Sequence, residues 1–263
     1  MKSKLLTLLA ALAVSMLCIT MAAAAEKAPA AKAPEAKAPA AKAPAAREDP
    51  CVAAPKGGGK DSGFMQKHES FLKRGKEGKV GLLFVGDSIT AGWAGAGKEV
   101  WEANYAKCDA ANFGIGGDRT QHVLWRIENG ELDGISPKVV VLMIGTNNTS
   151  GDSADDIAKA DTLIVQKIRA KLPNAKVLLL AIFPRGSKGT GEMGAQAEKI
   201  KAINAQLAKL DDGKAVRYLD IGAKFIVDGK LPPEIMPDAL HLSKKGYEIW
   251  AAAIQPMLDE MMK

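Results

Sequence analysis

The chain has 263 residues, 47% of them hydrophobic and 25% charged, and a formal net charge of +6. With the N-terminal segments set aside, roughly 210 residues remain from about Cys51 onward, enough for one α/β domain with a sizeable core. Lys2 and Lys4 supply +2 of the charge and residues 26–50 supply +1, so only +3 is spread over the domain. That excludes the clustered basic face a nucleic-acid partner requires.

Residues 1–25 have the form of a secretory signal: Lys2 and Lys4, an apolar stretch from Leu5 to Met21, and Ala23-Ala24-Ala25 before Glu26. The expectation is an exported protein, periplasmic or secreted, with the signal cleaved. An uncleaved membrane anchor is the alternative, because about seventeen apolar residues lie at the short edge of a span. Residues 27–46 repeat Lys-Ala-Pro from Lys27, Lys32, Lys37 and Lys42. Proline at every fifth position bars a helix, so the segment reads as an extended spacer of about 60 Å. A plain tether is expected, with proximity to a membrane or an anionic wall polymer as the functional alternative.

The linker is drawn over residues 26–60 and the folded domain over 61–263. Gly57-Gly58-Gly59-Lys60 lacks the preceding strand and the Gly-Lys-Ser/Thr ending of a phosphate loop and belongs with the linker. Cys51 and Cys108 are the two cysteines left after the signal, and an oxidising compartment would permit their pairing. The sequence leaves that pairing open.

From Val80 the pattern alternates. Apolar strands are expected at 80–86, 108–113, 138–144, 176–182 and 215–221. Helical periodicity places Ile157, Ala160, Ile164 and Ile168 on one face of 154–172, and Ile200, Ile203, Leu207 and Leu210 on one face of 192–210. A last helix over roughly 244–261 carries Tyr247, Trp250, Ile254 and Leu258. Near-continuous apolar strands alternating with helices mean a parallel sheet covered on both faces, a three-layer α/β/α sandwich.

Four polar groups fall at strand ends or in late loops: Gly86-Asp87-Ser88, Asn112 through Asp118, Gly145-Thr146-Asn147-Asn148, and Asp238-Ala239-Leu240-His241. Carboxyl ends of parallel strands are where ligands bind in such sheets. Ser88 is a candidate nucleophile, although a serine there also serves as a helix cap. Of three histidines, His68 is expected on the surface before the first strand, and His122 in a structural hydrogen bond. His241 is the candidate base, with Asp238 three residues earlier to orient its ring. The Ser88 amide, Gly117 and the Asn147 side chain are candidate oxyanion donors. No HExxH motif or clustered Cys/His set implies a metal, and no cofactor is expected.

These blocks, Gly-Asp-Ser, Gly117, Asn147 and Asp-x-x-His, resemble the SGNH (GDSL-type) hydrolase family. Within it, Asn112 through Glu131, Val139–Asn148, Phe183-Pro184-Arg185-Gly186 and Leu240 through Tyr247 resemble the catalytic subunits of type I platelet-activating-factor acetylhydrolase. The resemblance covers about 80–263. It implies a five-stranded, flavodoxin-like parallel sheet, a Ser88–His241–Asp238 triad and an oxyanion hole of Ser88, Gly117 and Asn147. It also implies an acyl pocket closed by Ile89, Thr146 and Leu240, which favours acetyl, and the related subunits form homodimers.

The export signal and the spacer depart from those cytosolic relatives and point to O-acetylated glycan rather than phospholipid. The expected activity is hydrolysis of short-chain carboxylic esters. Its rivals are a lysophospholipase or thioesterase on the same scaffold, a phospholipid acetylhydrolase, and a non-catalytic wall-binding module.

Overall fold

The computed structural model describes residues 48–57, 59–60 and 62–263. The signal and the Lys-Ala-Pro repeat lie outside the described residues. No helix among the described residues is long and apolar enough to cross a membrane.

The elements follow one another as α1 (Gly63–Lys76), β1 (Leu82–Gly86), α2 (Ser88–Ala91), α3 (Lys98–Tyr105), β2 (Ala110–Gly114) and α4 (Thr120–Glu128). After them come β3 (Val139–Met143), α5 (Ala154–Lys171), β4 (Lys176–Leu180), α6 (Ala197–Leu207), β5 (Val216–Leu219) and α7 (Lys244–Met261). All five strands are parallel, in the order β2-β1-β3-β4-β5. The chain leaves β1 for β2 on one side and returns to β3 on the other. The carboxyl end of β1 therefore sits where the winding reverses, the usual ligand crevice of an open α/β sheet. In register, Gly86 at that end pairs with Gly114 of β2 and Met143 of β3.

Side chains alternate along each strand, so the sheet feeds two cores. Leu83, Val85, Val140, Leu142, Val177 and Leu179 face an aliphatic layer completed by α1, α4, α5 and α6. Leu82, Phe84, Val139, Val141, Leu178 and Leu180 face an aromatic layer with Trp93, Tyr105, Phe225, Tyr247 and Trp250. Trp250 lies 4.9 Å from Trp93 and 5.0 Å from Phe183, ring centre to ring centre. The expected sandwich is the observed one. Helix α7 spans Lys244–Met261, as its periodicity indicated.

Several expectations need correction. Helix α1 stands where the sequence showed only a charged stretch. Ser62 caps it by accepting a hydrogen bond from the Met65 N–H, and its buried face carries Phe64, His68 and Phe71. His68 is therefore not a surface residue: its ring packs 5.0 Å from that of Trp125 and its Nε2 lies 3.2 Å from the Asn129 carbonyl. Helix α6 begins at Ala197 rather than 192, because residues 186–193 form an irregular loop closed by a Gly186–Met193 bridge.

Residues 48–57, drawn as linker, pack on the domain instead. The Pro50 carbonyl accepts from the Thr120 hydroxyl at 3.0 Å, and the Ala54 N–H donates to the Gln121 carbonyl at 3.2 Å. Cys51 and Cys108 are both free thiols. Cys51 sits against α5, with its Sγ 3.6 Å from the Asp156 carbonyl, whereas Cys108 packs on the aromatic layer across the sheet.

Candidate active site

The apolar strand β1 ends at Gly86, and Asp87 turns the chain into α2 by accepting a hydrogen bond from the Ile89 N–H at 2.9 Å. The cap is thus Asp87, which leaves the Ser88 hydroxyl free for another partner. That partner is His241, whose Nε2 lies 2.9 Å from Ser88 Oγ. On its other side, His241 Nδ1 is 2.7 Å from Asp238 Oδ2. A carboxylate can only accept, so it holds the ring proton on Nδ1 and turns the Nε2 lone pair towards the serine.

The loop that delivers the histidine is itself tightly specified. Ala239 adopts a left-handed backbone, φ 58°, which wraps the chain around the Asp238 carboxylate. Asp238 Oδ1 then accepts from the Leu240 N–H at 3.1 Å and the His241 N–H at 2.7 Å. Partial burial raises the Asp238 carboxyl, but the hydrogen bonds from the His241 ring and from these two amides outweigh it, and the group stays below its ordinary range. The His241 side chain is 44% exposed and that of Asp238 38%, so a substrate can reach the imidazole.

The expected oxyanion donors lie at the ends of the strands flanking β1. Gly117 sits in the turn between β2 and α4. Asn147 lies in a single 3-10 turn, Thr146–Asn148, after Gly145. Gly145 has φ 112°, and a Cβ there would come within 2.7 Å of the Ile182 side chain, so only glycine makes this exit from β3. The Asn147 amide donates to the Asp118 carbonyl at 2.8 Å and so ties the β3 loop to the residue after Gly117. A side-chain amide has two N–H donors, which leaves one to be directed elsewhere. Of the expected acyl-pocket residues, Ile89 and Thr146 are buried and Leu240 is half-buried against the aromatic layer.

A polar network that motif reading missed supports these loops. Arg119 Nε donates to the Asn147 carbonyl at 3.2 Å, and Arg185 Nη1 donates to the Thr146 carbonyl at 3.1 Å. The buried Asn148 side chain accepts from the Thr120 N–H at 3.0 Å and donates to Asp152 at 2.7 Å. Beneath them the buried Arg126 donates to the Phe113 carbonyl at 3.0 Å and the Gly86 carbonyl at 3.3 Å, and pairs with Asp118 and Glu131. Arg119, Arg126 and Arg185 all lie inside the strings that carried the family resemblance. Spacing alone gave no reason to single them out.

Burial dominates the titration of this layer. It pushes the fully buried Asp87 carboxyl up to about 6, and it raises Asp118 against the pull of Arg126 and Lys56. His122 accepts from the Arg119 N–H at 3.0 Å, the structural bond expected of it, and burial lowers it to about 4. Among the described residues, no three His, Cys, Asp or Glu side chains converge to hold a metal ion.

A model of the GDSL-like lipase/acylhydrolase family matches residues 84–249. The alpha2 subunit of platelet-activating factor acetylhydrolase IB from Rattus norvegicus is 38% identical, over 77% of this chain and 85% of its own. The alpha1 subunit from Bos taurus is 36% identical with the same coverage. Among solved structures, a GDSL-like lipase from Bacteroides thetaiotaomicron matches with a TM-score of 0.57 at 21% identity, covering 72% of this chain and 90% of the other. A carbohydrate acetylesterase from Sinorhizobium meliloti matches with a TM-score of 0.55 at 19% identity, covering 70% and 100%. The two structures establish the shared fold. The family match and the 38% identical relative establish more: this chain belongs to the GDSL-like lipase/acylhydrolase family and is a carboxylic ester hydrolase.

Proposed function

We propose that the protein is an exported serine esterase that removes short acyl groups, acetyl above all, from O-acylated carbohydrate. Ser88 is the nucleophile, His241 the general base, and Asp238 the group that orients it. The observation that carries this reading is the continuous chain Ser88 Oγ–His241 Nε2, 2.9 Å, and His241 Nδ1–Asp238 Oδ2, 2.7 Å, at the carboxyl end of β1.

In this mechanism His241 takes the Ser88 proton as Oγ attacks the ester carbonyl. The carbonyl oxygen becomes an oxyanion held by the Ser88 N–H, the Gly117 N–H and the free N–H of Asn147. His241 then protonates the departing alcohol, leaving an acyl-Ser88. A water molecule, deprotonated by the same imidazole, cleaves that ester and restores the serine. Asp238 stays ionised throughout and stabilises the imidazolium in both halves.

Ile89, Thr146 and Leu240 close the acyl side, and the burial of the first two supports a short acyl group. A groove of about 690 Å³ runs beside α6 and β5, past Ile182, Ile200 and Ile226. Its lining includes none of Ser88, Ile89, Leu240 or His241, which favours an acetylesterase over a lysophospholipase. The carbohydrate half rests on the signal-like residues 1–25 and the spacer behind them. A second reading, a phospholipid acetyl ester, draws on the name of the 38% identical relative. Membership of an acylhydrolase family speaks against a purely wall-binding module.

The test is a series of p-nitrophenyl acetate, butyrate, octanoate and palmitate with the wild type and Ser88→Ala. The expected kcat/KM depends on Ser88 and falls steeply beyond butyrate. A preference for octanoate or longer would overturn the closed acyl pocket.

A further inference from the structure

Residues 48–57 form a strap over α4 and the Gly114–Asp118 loop, and they place one charged group beside the oxyanion side of the site. The strap is held at Pro50 by Thr120, at Ala54 by the Gln121 carbonyl, and at Glu48 by the Gln121 side chain at 3.1 Å. The basic residue of the strap is Lys56, whose Nζ donates to the Gly116 carbonyl at 2.5 Å. Gly117 has φ 72°, and a Cβ built on it would stand 2.6 Å from the same Nζ. The ammonium therefore occupies the space a Gly117 side chain would fill, next to the backbone assigned to the oxyanion.

Lys56 makes no direct ion pair among the described residues, although it attracts the Asp118 carboxyl at longer range. An ammonium has three N–H donors, and the Gly116 carbonyl takes one. Among the described residues no carboxylate lies within ion-pair distance of Lys56. Asp118 is nearby, but it is buried beside Arg126, 3.0 Å away, and its carboxyl is raised. Two more cations back the same loops: Arg185, on the Thr146 carbonyl, and Arg119, on the Asn147 carbonyl and 3.9 Å from the Asp152 carboxylate. The base side of the site carries the Asp238 carboxylate beside His241. The oxyanion side has Lys56, Arg119 and Arg185 on the carbonyls of its loops.

We propose that Lys56 is a substrate-binding residue that receives an anionic oxygen group, carboxylate or phosphate, carried on the alcohol half of the ester. The inference rests on the serine esterase reading and narrows its substrate to acetyl esters of acidic sugars or of phosphate-bearing glycans. The two free donors of Lys56 point the selection at the leaving alcohol rather than at the acyl group, because Ile89 and Leu240 line the acyl side.

The test compares kcat/KM for phenyl acetate, 4-acetoxybenzoate and 4-acetoxyphenyl phosphate in the full-length wild type, Lys56→Arg, Lys56→Gln and Lys56→Glu. Taking each variant's anionic-to-neutral ratio against the wild type's cancels leaving-group differences between the substrates. The ratio is expected to fall roughly fivefold in Lys56→Gln, through KM, further in Lys56→Glu, and to be largely kept by Lys56→Arg. In the wild type it should also decline as salt rises from 0.05 to 0.5 M, by about the same factor. That arm stands even if Lys56→Glu does not fold. A larger loss for the benzoate than for the phosphate would select carboxylate as the natural group, and the reverse would select phosphate. Ratios equal in all four proteins and flat with salt would overturn the inference while phenyl acetate turnover left the esterase intact. No hydrolysis of any ester would overturn both.

Discussion

On the aromatic face of the sheet, Ser88 and His241 are held by packing; on the aliphatic face, Gly117 and Asn147 are held by hydrogen bonds. Ile89, one residue after Ser88, is buried in the aromatic layer, and its carbonyl accepts from the Tyr247 hydroxyl at 2.6 Å. Leu240 and Leu242 flank His241 and pack into the same layer. The opposite loops have few apolar anchors. Arg119, Arg185, Asn148 and Thr120 fix them through carbonyls and amides. Proton transfer from Ser88 needs a short, steady distance between two distant parts of the chain, and dense packing supplies it. Oxyanion stabilisation needs oriented dipoles, which packing alone does not orient.

The contrast can be broken from either side. Trp250→Ala should cost about 3–5 kcal/mol in denaturant unfolding and lower kcat with it, because the cavity opens beside Trp93, Phe183 and Tyr247, the rings at the centre of the layer in which Ile89 and Leu242 are buried. An unchanged midpoint would show that the aromatic layer does not carry the Ser88 side. Asp87→Asn keeps the acceptor for the Ile89 N–H and removes the titration. The folded carboxyl, at about 6, lies above its ordinary value of 3.8, so its stabilising contribution is present below pH 3.8 and is lost as the pH rises through 6. The stability of the wild type relative to the variant should therefore drop by on the order of 3 kcal/mol between pH 4 and pH 7. A difference independent of pH would mean that Asp87 does not titrate there.

Asn148→Ala strips the Thr120 N–H of its acceptor, at a cost of roughly 1–3 kcal/mol. It should reduce kcat more than KM by loosening the turn that carries Asn147, and a pure KM effect would contradict that. Tyr247→Phe is the mildest break, removing one hydrogen bond worth about 1 kcal/mol, and a kcat several-fold lower would link the Ile89 carbonyl to the setting of Ser88.

What the sequence revealed and what it hid follow from the range of the interactions. The strands, α5 and α7 announce themselves by local apolar patterns, and a serine at a strand end with Asp-x-x-His near the last helix is a local signal too. The side chain of Phe71, however, makes sense only against Phe113, 4.5 Å away, so α1 was hidden among its charges. His68 reads as exposed because Trp125 and Asn129, which enclose it, come from another helix and its cap. The strap at residues 48–57 reads as linker because its anchors, Thr120 and Gln121, lie some seventy residues away. The periodicity of Ile200 and Ile203 extends the apparent helix too far upstream, where Gly191 and Gly194 belong to a loop.

The central claim is that Ser88 carries the acyl group between two halves of a reaction run by His241. Mixing the enzyme with p-nitrophenyl acetate, quenching in acid within the first turnover and mapping the peptides by mass spectrometry tests it most directly. The account predicts an acetyl group on Ser88 in the wild type and none in Ser88→Ala, together with loss of turnover on the order of 10⁶-fold. Acetyl on a different residue, or turnover undiminished without Ser88, would contradict it.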